Sequence, residues 1–105
     1  MRNGTYRYAL EMQVPLGKRR GELELKVSNN RICGFLTMFT ERLPIESATI
    51  KGNELTFTGE MKTLISTFSY TAIGTLGSRA IELSFNTDKD MYPAVGEAIM
   101  EVSYE

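Results

Sequence analysis

Apolar and polar residues alternate along most of this chain, which is the pattern that a β-strand produces when one of its faces is buried. The pattern is clearest in the stretch from Gly21 to Phe39. Its first half alternates charged residues with apolar ones, which are Leu23, Leu25 and Val27. Asn29 and Asn30 follow, and asparagine tolerates the positive φ that two-residue hairpin turns require. The stretch therefore predicts a β-hairpin.

Counting outward from the Asn29-Asn30 turn gives the register of this hairpin. Val27 is expected to face Ile32 and Leu25 to face Gly34, with apolar residues on the inner face. The outer face of the second strand then carries Cys33, Phe35 and Phe39. Soluble monomers seldom expose a contiguous apolar surface of this kind. Ile65 and Ile73 are further apolar residues in outward positions. We therefore predict an interface at Cys33, Phe35 and Phe39, in a homodimer or with a partner protein; the other interpretation is that an end loop covers them.

The same alternation continues through the rest of the chain. Further turns are predicted at Pro15-Leu16-Gly17, Gly52-Asn53, Lys62-Thr63 and Leu76-Gly77. The run from Lys18 to Arg20 is predicted to form the tip of the first hairpin, and we favour a solvated tip over one that binds an anion. Counting across these turns keeps the apolar residues of successive strands on the same, inward face of the sheet. This consistency favours a continuous antiparallel meander.

The segment from Glu41 to Lys51 breaks the alternation. Its apolar residues change from odd to even positions, as Leu43, Ile45, Ala48 and Ile50 show. Such a change of phase indicates a β-bulge near Glu46. Glu46 then either points inward, where burial would perturb the pKa of its carboxyl group, or is returned to solvent by the bulge.

The last segment, residues 94–104, fits two patterns. Every second residue from Ala94 to Tyr104 is suited to one face of a strand, but part of the segment also fits a helical stripe. We favour the strand, because a final strand paired with the first would cover the open edge of the meander. The prediction is an all-β fold: a single domain over residues 1–105, built as an antiparallel up-and-down β-barrel of about eight strands.

Composition narrows the chemistry. The 105 residues carry a net charge of −1 and include one cysteine and no histidine. The charge gives no support to nucleic-acid or membrane binding, and the absence of histidine removes the common nucleophile pairs and His-ligated zinc. We predict no metal, no cofactor and no enzymatic activity. The lone cysteine favours a cytoplasmic protein, although a removed signal peptide would leave no trace.

The residues predicted to face the interior include many aromatic rings. The candidate pocket residues are Tyr6, Tyr8, Glu46, Phe57, Phe68, Tyr70, Phe85 and Tyr104. Tyrosine hydroxyl groups need hydrogen-bond partners when they are buried, so several inward tyrosines favour a pocket with polar groups. The other interpretation is a packed core with hydroxyl groups that reach the rim, because small barrels are often filled by side chains.

Three features of the sequence resemble small bacterial barrel domains of the lipocalin-like or calycin-like type. They are Gly4-Thr5-Tyr6 in the first strand, an asparagine-turn hairpin with Gly34 in mid-strand, and the run from Gly52 to Phe57. The resemblance implies a domain that holds a small, partly apolar ligand inside the barrel. The second hypothesis is a structural or interaction module that docks through Phe35 and Phe39. A third, an enzyme that uses Glu46 for proton transfer, requires a buried carboxylate.

Overall fold

Eight antiparallel strands form a closed barrel in the computed structural model, which describes residues 3–15, 17–29, 31–63, 65–77, 79–99 and 103–104, the last two by backbone alone. The strands are β1 (Gly4–Val14), β2 (Gly17–Ser28), β3 (Arg31–Met38), β4 (Glu41–Lys51), β5 (Glu54–Lys62), β6 (Thr67–Leu76), β7 (Ala80–Asn86) and β8 (Met91–Ala98). A short ninth strand, β9 (Ser103–Tyr104), is added beside β1. Each strand from β1 to β7 pairs with the next along the chain, so the predicted up-and-down meander is confirmed.

The barrel closes because β1 pairs with both β2 and β8. Met12 pairs with Ala94 and Tyr8 with Ala98, in the antiparallel sense. Farther along the same edge of β1, Gly4 pairs with Tyr104 of β9. The strand interpretation of residues 94–104 is therefore confirmed for the part of this segment that the structure describes, and β8 begins three residues before the predicted start, at Met91.

Two of the predicted turns are confirmed with their registers. Val27 pairs with Ile32 and Leu25 with Gly34 around the Asn29-Asn30 turn, where Asn29 has a φ of 50°. The Gly52-Asn53 turn joins β4 to β5, with Gly52 at a φ of 62°. Both turns place residues that tolerate positive φ where the twist of the strands requires it.

Two other turns are longer than predicted. The chain between β5 and β6 turns over residues 63–66, so that Met61 pairs with Phe68, and the chain between β6 and β7 turns over 77–79. Thr63 stabilises the first of these loops, since its hydroxyl oxygen accepts a hydrogen bond from the backbone N–H of Ser66 at 3.1 Å. Lys62-Thr63 lacks residues that favour positive φ, which disfavours a two-residue turn there.

The prediction that Lys18, Arg19 and Arg20 form the tip of the first hairpin is wrong. Val14 pairs with Gly17, so the turn ends before the cationic run, and Lys18, Arg19 and Arg20 lie within β2. The Lys18 side chain forms an ion pair with Glu11 on the neighbouring strand, at 3.3 Å between Nζ and Oε1. These cations therefore belong to the wall of the barrel near one end.

The predicted bulge in β4 is confirmed. Ile45 pairs with Gly59 and Ser47 with Thr58, which leaves Glu46 as the extra residue. The Glu46 side chain is exposed, so the bulge returns it to solvent as in the second interpretation above. A buried carboxylate at this position, which the enzyme hypothesis required, is not what the structure shows.

The pairing between β3 and β4 is short. It joins Phe35–Met38 to Glu41–Pro44 and then stops. Residues Arg31–Gly34 of β3 and Ile45–Lys51 of β4 keep their partners on β2 and β5 but have no ladder partner across this gap. We call this opening the β3–β4 seam.

Candidate functional site

Five of the predicted pocket residues lie in the barrel interior. Tyr6, Tyr8, Phe57, Tyr70 and Phe85 are all buried, at no more than 7% exposed. Phe68 is half-buried near one end of the barrel, and the Tyr104 side chain lies outside the described residues. Glu46 is exposed at the bulge and does not line the interior.

The interior rings pack against one another. Phe57 lies with its ring centroid 5.9 Å from those of both Tyr70 and Phe85, and the last two are 5.2 Å apart. All three contacts are edge-to-face, the geometry that aromatic quadrupoles favour. The middle of the barrel is therefore occupied by its own side chains, as is common in small barrels.

Tyr70 reaches the barrel wall through a gap that Gly59 leaves. A Cβ on Gly59 would lie 2.8 Å from the Tyr70 hydroxyl oxygen, so the phenol occupies the space of the missing side chain. The next strand carries Ile45 opposite Gly59 and then Glu46. Burial raises the pKa of the Tyr70 phenol from its ordinary value of 10.0, and the negative charge of Glu46 raises it further.

Alkaline pH is expected to destabilise the fold through Tyr70. Because folding raises the pKa of this phenol, its stabilising contribution is complete below about pH 10 and is lost as the pH rises above the unfolded value. Thermal denaturation at increasing pH should show a falling midpoint, because this group lowers the free energy of unfolding by up to about 1.4 kcal/mol per pH unit. Tyr70→Phe should flatten that slope, and an unchanged slope in the variant would assign the effect to other groups.

One end of the barrel carries an apolar depression of about 450 Å³. Its apolar lining is formed by Met12, Val14, Phe39, Met61, Ile65 and Phe68, and we call this surface the apolar end. Met12 and Met61 are fully buried, whereas Ile65 on the β5–β6 loop is 94% exposed. The lining thus runs from the packed core out to solvent, so a molecule bound here would contact apolar groups without entering the barrel.

The turn between β3 and β4 brings Phe39 to this end. Phe39 and Thr40 have φ values of 53° and 66°, in the left-handed region that side chains seldom adopt. This conformation ends the alternation of β3, and Phe39 packs partly buried against the core. The prediction that Phe39 lies on the outer face beside Phe35 is therefore wrong.

The rim of the apolar end is mixed in character. Among the described residues that line the depression, Arg19 is the one with a charged side chain. Its guanidinium donates a hydrogen bond to the carbonyl oxygen of Lys18 at 3.1 Å. Tyr92 completes the rim, and its hydroxyl donates to Asp90 at 3.3 Å. A ligand at this end therefore meets an apolar floor with polar groups at its edge.

The outer face of β3 is less apolar than its sequence suggested. Phe35 is half-buried, and the Arg42 guanidinium lies 4.0 Å from the centroid of its ring. Arg42 also approaches Glu24 at 3.7 Å. Cys33 is exposed, but Phe39 has turned away. The predicted interface residues do not form one stripe, and association through Cys33 and Phe35 stays a prediction.

The sequence contained a weak signal for the apolar end. Met12 and Met61 occupy inward positions close to strand ends, and Ile65 is an apolar residue in a predicted solvent-facing position. Neither observation showed that the three residues meet. Their meeting depends on which loops gather at one end of the barrel, and the local pattern does not report that.

Within the described ranges, no group of three or more side chains of the metal-binding types is arranged to hold an ion. The same part of the chain contains no helix with the length and apolar character needed to span a membrane. The apolar end can therefore interact with a ligand through apolar contacts, hydrogen bonds and the positive charge of Arg19.

Comparison with known proteins supports the fold. No family model matches the sequence, and no curated protein matches it. Among solved structures, the barrel is similar to part of the isotype 1 transferrin binding protein B from serogroup B Neisseria meningitidis, with a TM-score of 0.60 and 17% sequence identity. The match covers 93% of this chain and 25% of that one, so the chain spans a quarter of that structure's length. The chain therefore shares a β-barrel fold with that structure, and the similarity assigns it to no family.

Proposed function

We propose that this chain is a binding domain that takes a small, partly apolar molecule at the apolar end of its barrel. The observation that carries the proposal is the depression of about 450 Å³, which continues from the buried Met12 and Met61 to the exposed Ile65. Concave, mostly apolar surfaces with a few polar groups are the usual form of small-molecule sites. Arg19 and Tyr92 supply such polar groups.

This location differs from the one implied by the resemblance to lipocalin-like barrels. A ligand in the middle of the barrel would have to displace the rings of Phe57, Tyr70 and Phe85, which contact one another. Opening a packed core costs several kcal/mol, because its side chains fill the space at crystal-like density. The apolar end offers apolar contact without that cost.

The size of the depression sets the strength of binding to expect. A ligand that removes roughly 200 Å² of apolar surface from water gains about 5 kcal/mol. Because association costs part of this gain, the dissociation constant is expected to be no lower than roughly 0.2 mM. Binding experiments should therefore be carried out with apolar probes up to millimolar concentration.

The structural neighbour supports a binding role in general terms. By its name, that protein binds transferrin, so a barrel of this kind occurs in a binding protein. The chain described here covers a quarter of that protein's length, and nothing about transferrin itself is proposed for it. Fold alone does not determine a ligand, and the argument for binding therefore depends on the apolar end.

The test uses Ile65, the most exposed residue of the apolar lining. Ile65→Asp should lower the affinity for the neutral fluorescent probe N-phenyl-1-naphthylamine about tenfold, because a carboxylate would lie at the apolar rim. A fluorescence titration measures this directly, since the chain has no tryptophan to interfere. The thermal midpoint should not change, because Ile65 makes little contact with the core.

Ile73→Asp is the matched control. Ile73 is 44% exposed on the wall of the barrel in β6, away from the apolar end, and its replacement should leave the titration unchanged. An equal loss of affinity in both variants would mean that the probe binds apolar surface without a defined site. A titration that does not saturate would also contradict the proposal.

A further inference from the structure

Among the eight pairings between neighbouring barrel strands, the ladder of β3 with β4 is the shortest in the described part of the chain, and the β3–β4 seam begins where it stops. The strands β5 and β6 pair continuously over nine positions, from the pair of Glu54 with Thr75 to the pair of Lys62 with Thr67. By contrast, β3 and β4 pair over four positions. Beyond Phe35 and Pro44 the two strands diverge. Each then presents backbone N–H and C=O groups along an edge that has no ladder partner among the described residues.

Two features of β4 produce this opening. Pro44 has no backbone N–H to donate, so it is suited to the end of a ladder. The bulge at Glu46 comes two residues later and redirects the strand. Both features disfavour further pairing of β4 with β3, so they contribute to the divergence of the two strands.

The seam has an apolar floor. An opening of about 490 Å³ lies between the strands, and its apolar lining consists of Val27, Ile32, Ala48 and Ile50. The last three are partly buried against the core. An added strand would place every second side chain on this floor, because successive residues of a strand point to opposite faces.

We propose that the β3–β4 seam binds an extended segment of a partner protein by strand addition along the free edge of β4, residues 45–51. Unpaired strand edges are templates for another chain, and recognition of this kind combines main-chain hydrogen bonds with pockets for alternate side chains. The seam offers both features, an unpaired edge and an apolar floor. This inference is independent of the proposed ligand site, which lies at the opposite end of the barrel.

Charge indicates which end of the segment is acidic. Arg31 begins β3 and Lys51 ends β4, so both cations lie at the open end of the seam. Both side chains are exposed, and neither forms an ion pair with the rest of the described chain. Glu46 is exposed at the other end and would repel a second acid there. We therefore expect the bound segment of the partner protein to have apolar residues at alternate positions and an acidic group at the end that lies beside Arg31 and Lys51.

The test uses synthetic peptides of about ten residues, the length of a long strand. One has alternating valine and threonine with two aspartates at one end, a second has lysines in place of the aspartates, and a third is the acidic peptide with N-methyl groups at alternate residues. Amide NMR spectra of the labelled protein report where each peptide binds. The acidic peptide should shift the resonances of residues 31–34 and 45–51 and slow their hydrogen exchange.

The expected differences follow from the two parts of the proposal. N-methylation removes main-chain donors and should weaken binding at least about tenfold. The lysine peptide should bind several-fold more weakly, as should the acidic peptide to the double variant Arg31→Glu with Lys51→Glu. The matched control, Lys62→Glu with Lys89→Glu, makes the same charge change at the opposite end and should bind like the original protein.

Several outcomes would overturn the proposal. Equal binding of the N-methylated peptide would exclude strand addition, and resonance shifts confined to other surfaces would exclude the seam. Equal binding of the acidic and lysine peptides would refute the assigned charge. Seam shifts that depend on protein concentration without peptide would show that a second copy of the chain is the occupant. Loss of peptide binding in Ile65→Asp, a change at the opposite end of the barrel, would contradict a separate site at the seam.

Discussion

Replacing Phe57 by alanine is expected to lower the free energy of unfolding by about 4 kcal/mol. Phe57 is fully buried on β5, and its ring contacts those of Tyr70 and Phe85 edge-to-face. The substitution removes a large apolar ring from the middle of the barrel and leaves a cavity that the rigid strands cannot close. Urea denaturation followed by circular dichroism measures the change.

The control for this prediction is Phe35→Ala on the outer face of β3. Phe35 is half-buried and contacts Arg42, so its removal should cost about 1 kcal/mol. A loss of less than 1 kcal/mol for Phe57→Ala would contradict the packed interior. A ligand site in the middle of the barrel would then become the better hypothesis.

Gly34→Ala is expected to destabilise the fold by about 2 kcal/mol, although alanine is intrinsically the better residue in a strand. A Cβ on Gly34 would lie against the carbonyl oxygen of Glu24, 2.9 Å from its carbonyl carbon and 3.1 Å from the Cα of Leu25. These are backbone atoms, so the clash is relieved only if β2 and β3 move apart. The same denaturation experiment tests the prediction.

The neighbouring variant Cys33→Ala supplies the reference. Cys33 lies in the same strand with its side chain exposed, and its replacement should change the free energy of unfolding by less than about 0.5 kcal/mol. If Gly34→Ala were as stable as Cys33→Ala, the close approach of β2 and β3 at this position would be wrong.

Much of the fold could be predicted because its signals are local. Alternation depends on neighbouring residues, and the turns at Asn29 and Gly52 depend on residues that tolerate positive φ. The bulge at Glu46 was visible as a change of phase within one strand. Each of these features concerns a few consecutive residues, so the sequence carries it without knowledge of the rest of the molecule.

The two wrong turns show the limit of that information. A two-residue turn at Lys62-Thr63 would place Phe57 opposite Phe68, whereas Phe57 pairs with Ala72. The difference is four residues, an even number, so every side chain keeps its side of the sheet. The alternation of apolar and polar residues is the same in both registers, so it cannot distinguish them. The residues Lys62 and Thr63 are not ones that mark a tight turn.

The candidate sites depend on contacts between distant parts of the chain. Phe39 does not lie on the outer face, because residues with left-handed backbone conformation end β3. Arg42, on the next strand, covers Phe35. The apolar end gathers side chains from four connections around the barrel, and the seam arises where β3 and β4 diverge. None of these arrangements is visible in one strand alone.

The sequence by itself determined most of the strands, their inward faces and the order of the antiparallel meander, because a period of two residues and turn chemistry are properties of short segments. Only the tertiary structure decided which inward aromatic rings pack together, which residues meet at the apolar end and where the ladder opens. Those outcomes depend on strand register and on the closure of β1 with β8, which together bring residues from the two ends of the chain into contact.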